Sequence, residues 1–203
     1  MATLGDLKAR IIREMNRDDL QDELADELAL QIQSAIAYYA VERFHFNEAR
    51  TIVPVSTEYT DVPTGTRKID EIFIIIGGVR YRTINREMTT IEGLYSVPMI
   101  GQPTDWAFFQ DQVRFWPTPN KTYSTIWLTI EDQPELTSDA DSNAWTTDGY
   151  DLITARTKYL LYRDQFRDAD WMAVSKQAED EAHRNLKNNA NKLLSIGRMR
   201  PSW

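Results

Sequence analysis

Apolar residues recur every three or four positions near both ends of the chain, and alternate or run together between them. That contrast predicts helical ends and a β-rich centre. Leu4, Leu7, Ile11, Ile12 and Met15 predict a first helix over 3–15 with Thr3 as its N-cap. Asn16-Arg17-Asp18-Asp19 interrupts the pattern and offers a new cap. Leu20, Leu24, Leu28, Ile32, Ala35, Ile36 and Tyr39 then keep a single stripe, predicting a second helix over 20–43. Its other side, with Asp22, Glu23, Asp26 and Glu27, is acidic.

From Thr51 the residues are those of strands. Thr51-Ile52-Val53-Pro54-Val55 leads into a turn at Asp61-Val62-Pro63-Thr64-Gly65. The run Ile72-Phe73-Ile74-Ile75-Ile76 and the stretch from Val79 to Thr83 flank Gly77-Gly78, which predicts a tight hairpin because both glycines tolerate positive φ. Residues 84–94 read as a short helix. Strands follow over 106–109, 113–116 and 123–130, with Pro117-Thr118-Pro119-Asn120 as a turn. Near the end, Leu152, Ile153, Tyr159, Leu160 and Phe166 predict a helix over 148–166. Trp171, Val174, Ala178, Ala182, Leu186, Ala190 and Leu193 predict a longer one over 170–195, with Asp168 and Asp170 at its positive end. The expected fold is α+β: terminal α-helices packed as a bundle beside a small, mostly antiparallel β-sheet (51–130) inserted in the middle of the chain. Residues 1–196 read as one domain and 197–203 as a mobile C-terminal tail.

Composition narrows the function. The chain has 203 residues, no cysteine, and 23 Lys plus Arg against 31 Asp plus Glu, a net charge of −8. Without cysteine there are no disulfides, thiolate nucleophiles or Cys-type zinc sites. No apolar run approaches the ~18 residues of a membrane helix, and Met1-Ala2-Thr3-Leu4-Gly5-Asp6 does not resemble a signal segment. The expectation is a soluble protein made in the cytoplasm, with no membrane contact. An acidic balance also argues against gripping phosphate backbones. The distribution says more than the sum: residues 131–151 carry seven acids and no base, and residues 182–203 five bases and no acid. An acidic loop and a basic tail result. Solvation alone accounts for both; the functional alternative is a tail that docks on something acidic.

Candidate chemistry is sparse. His45, between Phe44 and Phe46, reads as a packed or capping histidine. His183 lies one turn after Glu179, a spacing that could share a metal, but no third ligand is near in sequence. Asp139-Ala140-Asp141-Ser142-Asn143 begins like a calcium loop, yet Ala144 stands where Gly is needed and Tyr150 where Glu is needed. Caps and Asx-turns explain it better. Gly77-Gly78 precedes no helix and no Lys-Ser or Lys-Thr, so it is no phosphate cradle. Trp106/Phe108 and Phe115/Trp116 could stack nucleotide bases, but no basic residues interleave them as such a platform requires, and a sheet core is the simpler reading. Nothing here requires an enzyme or a cofactor.

Taken in order, the motifs resemble a known family. Leu4-Gly5-Asp6-Leu7 with Ile11 and Asn16-Arg17-Asp18-Asp19-Leu20 is similar to its opening. Ala35-Ile36, Tyr38-Tyr39 and Glu42-Arg43-Phe44-His45-Phe46-Asn47-Glu48 is the most specific piece. Pro117-Thr118-Pro119, Tyr123, Asp141-Ser142-Asn143-Ala144-Trp145-Thr146, Asp151-Leu152-Ile153, Ala155 and Leu161-Tyr162 continue the match, to about residue 195. The chain resembles the head-to-tail adaptor (connector, or head-completion) proteins of tailed bacteriophages, particularly short-tailed ones. It departs at His45, where the family often has an aromatic residue.

The resemblance implies a non-enzymatic structural protein of the virion neck, made in the host cytoplasm. Many copies, twelve by the family pattern, would form a ring beneath the portal protein. The ring would extend the DNA channel, let double-stranded DNA pass without specific binding, and supply a platform for a downstream tail protein. The C-terminal segment of such proteins typically reaches the portal, which makes Arg184, Lys187, Lys192, Arg198, Met199, Arg200 and Trp203 the expected portal-docking residues. The charge predicts a monomer when free. A tail-tube or tail-completion ring is the nearest alternative. A carboxylate-dependent cell-wall hydrolase is a remoter one, testable by clearing of peptidoglycan.

Overall fold

A computed structural model of the chain describes residues 1–22, 24–94 and 99–196, with the side chains of residues 94 and 189–196 outside the description. It is a mixed α+β structure in two compact units. One is built from both ends of the chain, up to Asn47 and from Gln133 onward; the other is Glu48–Asp132.

In the helical unit, α1 (Leu4–Met15) starts where expected. Thr3 and Asp6 form a capping box, and Asn16 closes the helix in the left-handed conformation at φ 52°. The stripe read as one helix over 20–43 is broken at both ends. A 3₁₀ turn, Asp18–Leu20, comes first, and α2 is Ala25–Tyr39. Arg17 holds Asp19 at 2.6 and 2.8 Å across that turn and so directs Leu20 into the core. Leu20, Leu24 and Leu28 all turn toward one core although Leu20 and Leu24 precede α2, so the spacing of apolar residues could not locate the start. At the other end the Asn47 side chain bonds the Phe44 amide (2.7 Å) and the Glu42 carbonyl (2.8 Å), holding a turn where helix was expected. The last helices also differ. α4 (Ala144–Thr147) has its own capping box from Asn143, α5 is Tyr150–Leu161, a π-helical turn covers Tyr162–Phe166, and α6 is Ala169–Ile196. These follow α3 (Met88–Leu94) of the other unit. The core joins Leu7 and Ile11 of α1, Leu28 and Ile32 of α2, Trp145 of α4, Leu152 and Ile153 of α5, and Leu186 of α6.

The central unit holds more than the one expected sheet. β1 (Glu48–Val55), β10 (Tyr123–Glu131), β3 (Thr66–Ile76) and β4 (Val79–Arg82) form an antiparallel sheet in that order. β2 (Tyr59–Asp61), β8 (Gln112–Trp116), β7 (Asp105–Phe109) and β5 (Ile84–Asn85) form a second, whose β5–β7 pair is parallel. β6 (Ile100–Gly101) and β9 (Thr118–Pro119) form a short parallel pair. The expected helix over 84–94 is therefore a strand, then α3. Gly77 and Gly78 take φ of 57° and 81° at the β3–β4 hairpin, as the dipeptide predicted. Val55, Ile72 and Trp127 of the first sheet meet Trp106, Val113 and Phe115 of the second in one core. The aromatic pairs suspected of stacking bases contribute Trp106 and Phe115 to it. Alternation shows which side chains point inward, but not which strands share hydrogen bonds.

Candidate functional site

α6 carries three of the residues expected to dock, Arg184, Lys187 and Lys192, and a buried charge fixes it in the helical unit. Glu179 is fully buried. Its Oε1 accepts from the Tyr39 hydroxyl at 2.5 Å and the Arg156 guanidinium at 3.1 Å, with Lys176 Nζ at 3.2 Å. Arg156 lies 3.9 Å over the Tyr38 ring and 5.2 Å over the Tyr159 ring. Burial, and then the neighbouring Glu179 carboxylate, push the Tyr39 hydroxyl well above the usual tyrosine range. Only one rotation of α6 aims Glu179 at Arg156.

That rotation corrects the expected face of α6. Ser175, Glu179 and Leu186 are buried, while Trp171 and Val174 are each 55% exposed. Carrying the Leu186 phase back by seven and eleven residues points to Glu179 and Ser175. The signal was present, masked by the polarity of the two side chains.

A second contact lies one turn on. His183 Nε2 meets Glu42 Oε2 at 2.9 Å, and its ring stacks on Tyr39 at 5.5 Å. Lys187 Nζ lies 3.1 Å from the same carboxylate, donates to the Arg43 carbonyl at 2.9 Å, and sits 4.4 Å over the Phe44 ring. Burial alone would raise the Glu42 carboxyl; hydrogen bonds from His183 and Lys187 hold it below the usual carboxylate range. His183 and Glu179 thus face different partners. Among the described residues no group of three or more His, Asp or Glu could hold a metal ion.

The expected docking residues are placed unevenly. Lys187 is committed to Glu42 and Phe44 of its own unit. Arg184 is exposed, with its Nε on the Asp180 carbonyl at 3.2 Å. Lys192 belongs to α6 with its side chain outside the description, and Arg198, Met199, Arg200 and Trp203 lie outside the described residues.

The acidic loop turns back on the helical unit. The carbonyls of Asp141 and Asp139 accept from the first amides of α1, Leu4 (2.9 Å) and Gly5 (3.0 Å), satisfying two otherwise orphaned donors. Asp141 accepts from the amides and hydroxyls of Ser138 and Thr137, which is the Asx-type turn expected there. These bonds, the Ser138 amide first, pull its carboxyl down to about 2. Because the shift is downward, its contribution to loop order is complete above the ordinary Asp value of about 3.9. It is lost as pH falls through about 2. A carbon-13 titration of the Asp141 carboxyl should show its midpoint near that value, and a midpoint near 4 would contradict the turn.

Described residues of this unit line two clefts. One, of about 220 Å³, lies between α5 and α6 and is lined by Asp148, Asp151, Leu152, Glu181 and Leu186. The other, of about 550 Å³, is lined by Lys8, Ile12 and Arg13 of α1 with Leu20, Leu28 and Asp139. Neither brings a nucleophile to a histidine base among the described residues.

The family model for the SU10 adaptor protein matches residues 2–201. The chain belongs to the SU10 adaptor protein family. No curated protein matches it. As an SU10 adaptor it has a structural role in a phage particle, with portal and tail proteins as its implied partners. The contacts just described fix surfaces of the helical unit, which suits that role. No described helix of the adaptor is long and apolar enough to cross a membrane.

Proposed function

We propose that this SU10 adaptor forms a ring beneath the portal, extends the DNA channel and supplies the platform on which the tail assembles. Family membership over nearly the whole chain carries the reading. In it, the helical unit and the inserted sheet unit form one adaptor domain over 1–196. Charge supports the conduit. A lumen lined with Lys and Arg would hold DNA by counterion release, whereas exposed acidic positions such as Asp22, before α2, and Asp26, in its first turn, repel it. The basic C-terminal segment, with Arg184 exposed on α6 and Arg198, Met199, Arg200 and Trp203 beyond, is the portal-docking element. Arg and aromatic side chains dominate interface energies, which suits Trp203 to such a contact.

The test is electron microscopy of the full-length protein mixed with its portal, beside a chain ended after Leu194. Rings beneath the portal are expected for the full chain. The truncated chain should keep its circular-dichroism spectrum and lose portal binding. Retained binding would remove the tail from the docking role. Binding to a tail protein but not to portal would move the ring lower, to a tail-tube position.

A further inference from the structure

The smaller cleft, between α5 and α6, has a rim of one charge sign and an apolar floor. Asp148, Asp151 and Glu181 supply three acids, and no basic residue is among those that line it. Asp151 is met by Arg10 at 2.6 Å. Asp148 and Glu181 are exposed and have no ion-pair partner among the described residues. Beside the acids lie Leu152 and Leu186, both buried, and Ala182, half-buried. At about 220 Å³ the space is smaller than the roughly 300–1,000 Å³ of a small-molecule pocket and admits one large side chain. It fits a protein segment that carries cations next to an apolar anchor. The larger cleft selects no such partner, because Lys8 and Arg13 line it together with Asp18 and Asp139.

We propose that this cleft holds residues 197–203 of the same chain in the free protein. Charge selects the occupant. Residues 182–203 carry five bases and no acid, and within 197–203 Arg198 and Arg200 flank Met199, with Trp203 beyond. Arg200 enters the acidic rim, and Trp203 the apolar floor.

Reach selects the same chain over a second copy. Leu186 lies ten residues before Ile196, the last residue of α6, which is about 15 Å along the helix axis. Seven extended residues span up to about 23 Å, so 197–203 folded back along α6 passes Leu186 and brings Trp203 level with Ala182. The residue types suit that path. Gly197 is of the kind that most readily ends a helix and turns the chain, and Pro201 favours extended backbone at Arg200. A segment tethered so close meets the cleft at an effective concentration of about millimolar, which a free second copy does not match. The self-contact does not depend on the ring reading. Where the segment docks on portal, as proposed above, it leaves the cleft first, and the contact restrains assembly away from portal.

The absence of cysteine makes the test clean. In the full-length chain, Ser202→Cys with Asn185→Cys places one thiol on the segment and one at the cleft. Ser202→Cys with Arg184→Cys is the control, one residue away on α6 but outside the cleft lining. Both are equilibrated in a glutathione buffer, and mass spectrometry counts the disulfides within one chain. The cleft pair is expected to close about tenfold more than the control. Glu181→Lys, at an exposed position, should cut that excess about fivefold, and Arg200→Glu added to it should restore the excess. Each variant is first shown to melt as the wild type does. Equal closure of the two pairs, or disulfides that join two chains instead of one, would overturn the assignment. An excess indifferent to Glu181→Lys overturns it as well, since the acids are what select the segment. Either failure leaves portal docking standing, because that is read from the chain ended after Leu194.

Discussion

Glu179→Ala is expected to lower the unfolding free energy by about 3–5 kcal/mol, because it leaves Arg156 buried without its counter-charge. Arg156 is only 11% exposed, and Glu179 supplies the carboxylate that both it and the Tyr39 hydroxyl reach. Urea unfolding, with the denaturant slope checked for constancy, measures the loss. A change below about 1 kcal/mol would mean that Arg156 swings out to water when its partner is removed, in the manner of an exposed pair. The companion experiment separates pairing from packing. Glu179→Leu combined with Arg156→Met should recover most of the loss, since replacing both charges avoids stranding either. The ion pair then matters chiefly for the rotation of α6, and with it for where Arg184 and the basic end of the chain emerge.

Trp145→Ala is expected to cost about 3–5 kcal/mol, the range for emptying a large aromatic from a packed core. Trp145 is 1% exposed. It meets Phe44 edge-on at 5.5 Å and Phe46 at 4.9 Å, so it joins the segment after α2 to the segment before α5. Its position is fixed from both sides. Asn143 accepts from the Trp145 amide at 2.9 Å, and a Cβ on Gly149 would stand 2.9 Å from Trp145 Cε3 and 3.1 Å from its carbonyl oxygen. The same urea measurement decides, with near-ultraviolet circular dichroism reporting the loss of the aromatic cluster. A cost under about 1 kcal/mol would show that Phe44 and Phe46 close the space unaided. Gly149→Ala should destabilise through the same contact, since the facing atoms include Trp145 backbone, which cannot yield as a side-chain tip does.

Much of this was legible in order along the chain. Local signals located α1 and its cap, the Gly77-Gly78 hairpin, the β-rich centre and the Asp141 turn, because each depends on neighbours within a few residues. The motif order points to the phage adaptors, and the match over residues 2–201 bears that out. The electrostatic asymmetry was also visible, though the acidic loop has a further use that charge counting did not show: its carbonyls cap α1.

What stayed hidden required partners far apart in sequence. The apolar side chains from Leu20 to Tyr39 turn to one core although Leu20 lies in a 3₁₀ turn before α2, and Arg17, Asp19 and Asn47 decide the limits of the helix. Strand runs do not declare their neighbours, so where a single sheet was expected the described residues form two four-stranded sheets and a short pair. The α6 stripe put Trp171 and Val174 inside, but a carboxylate that finds Arg156 and Tyr39 outweighs two apolar side chains left at the surface. Periodicity, motif order and composition are properties of the chain read in one direction, and they were enough for the α+β class, the family and the uneven charge. Folding in three dimensions settles which face of α6 is buried, that Lys187 is committed to its own unit, and which face of α2 is left open. The first of these depends on a buried ion pair whose members stand 23 residues apart, and no local pattern encodes a pairing at that distance.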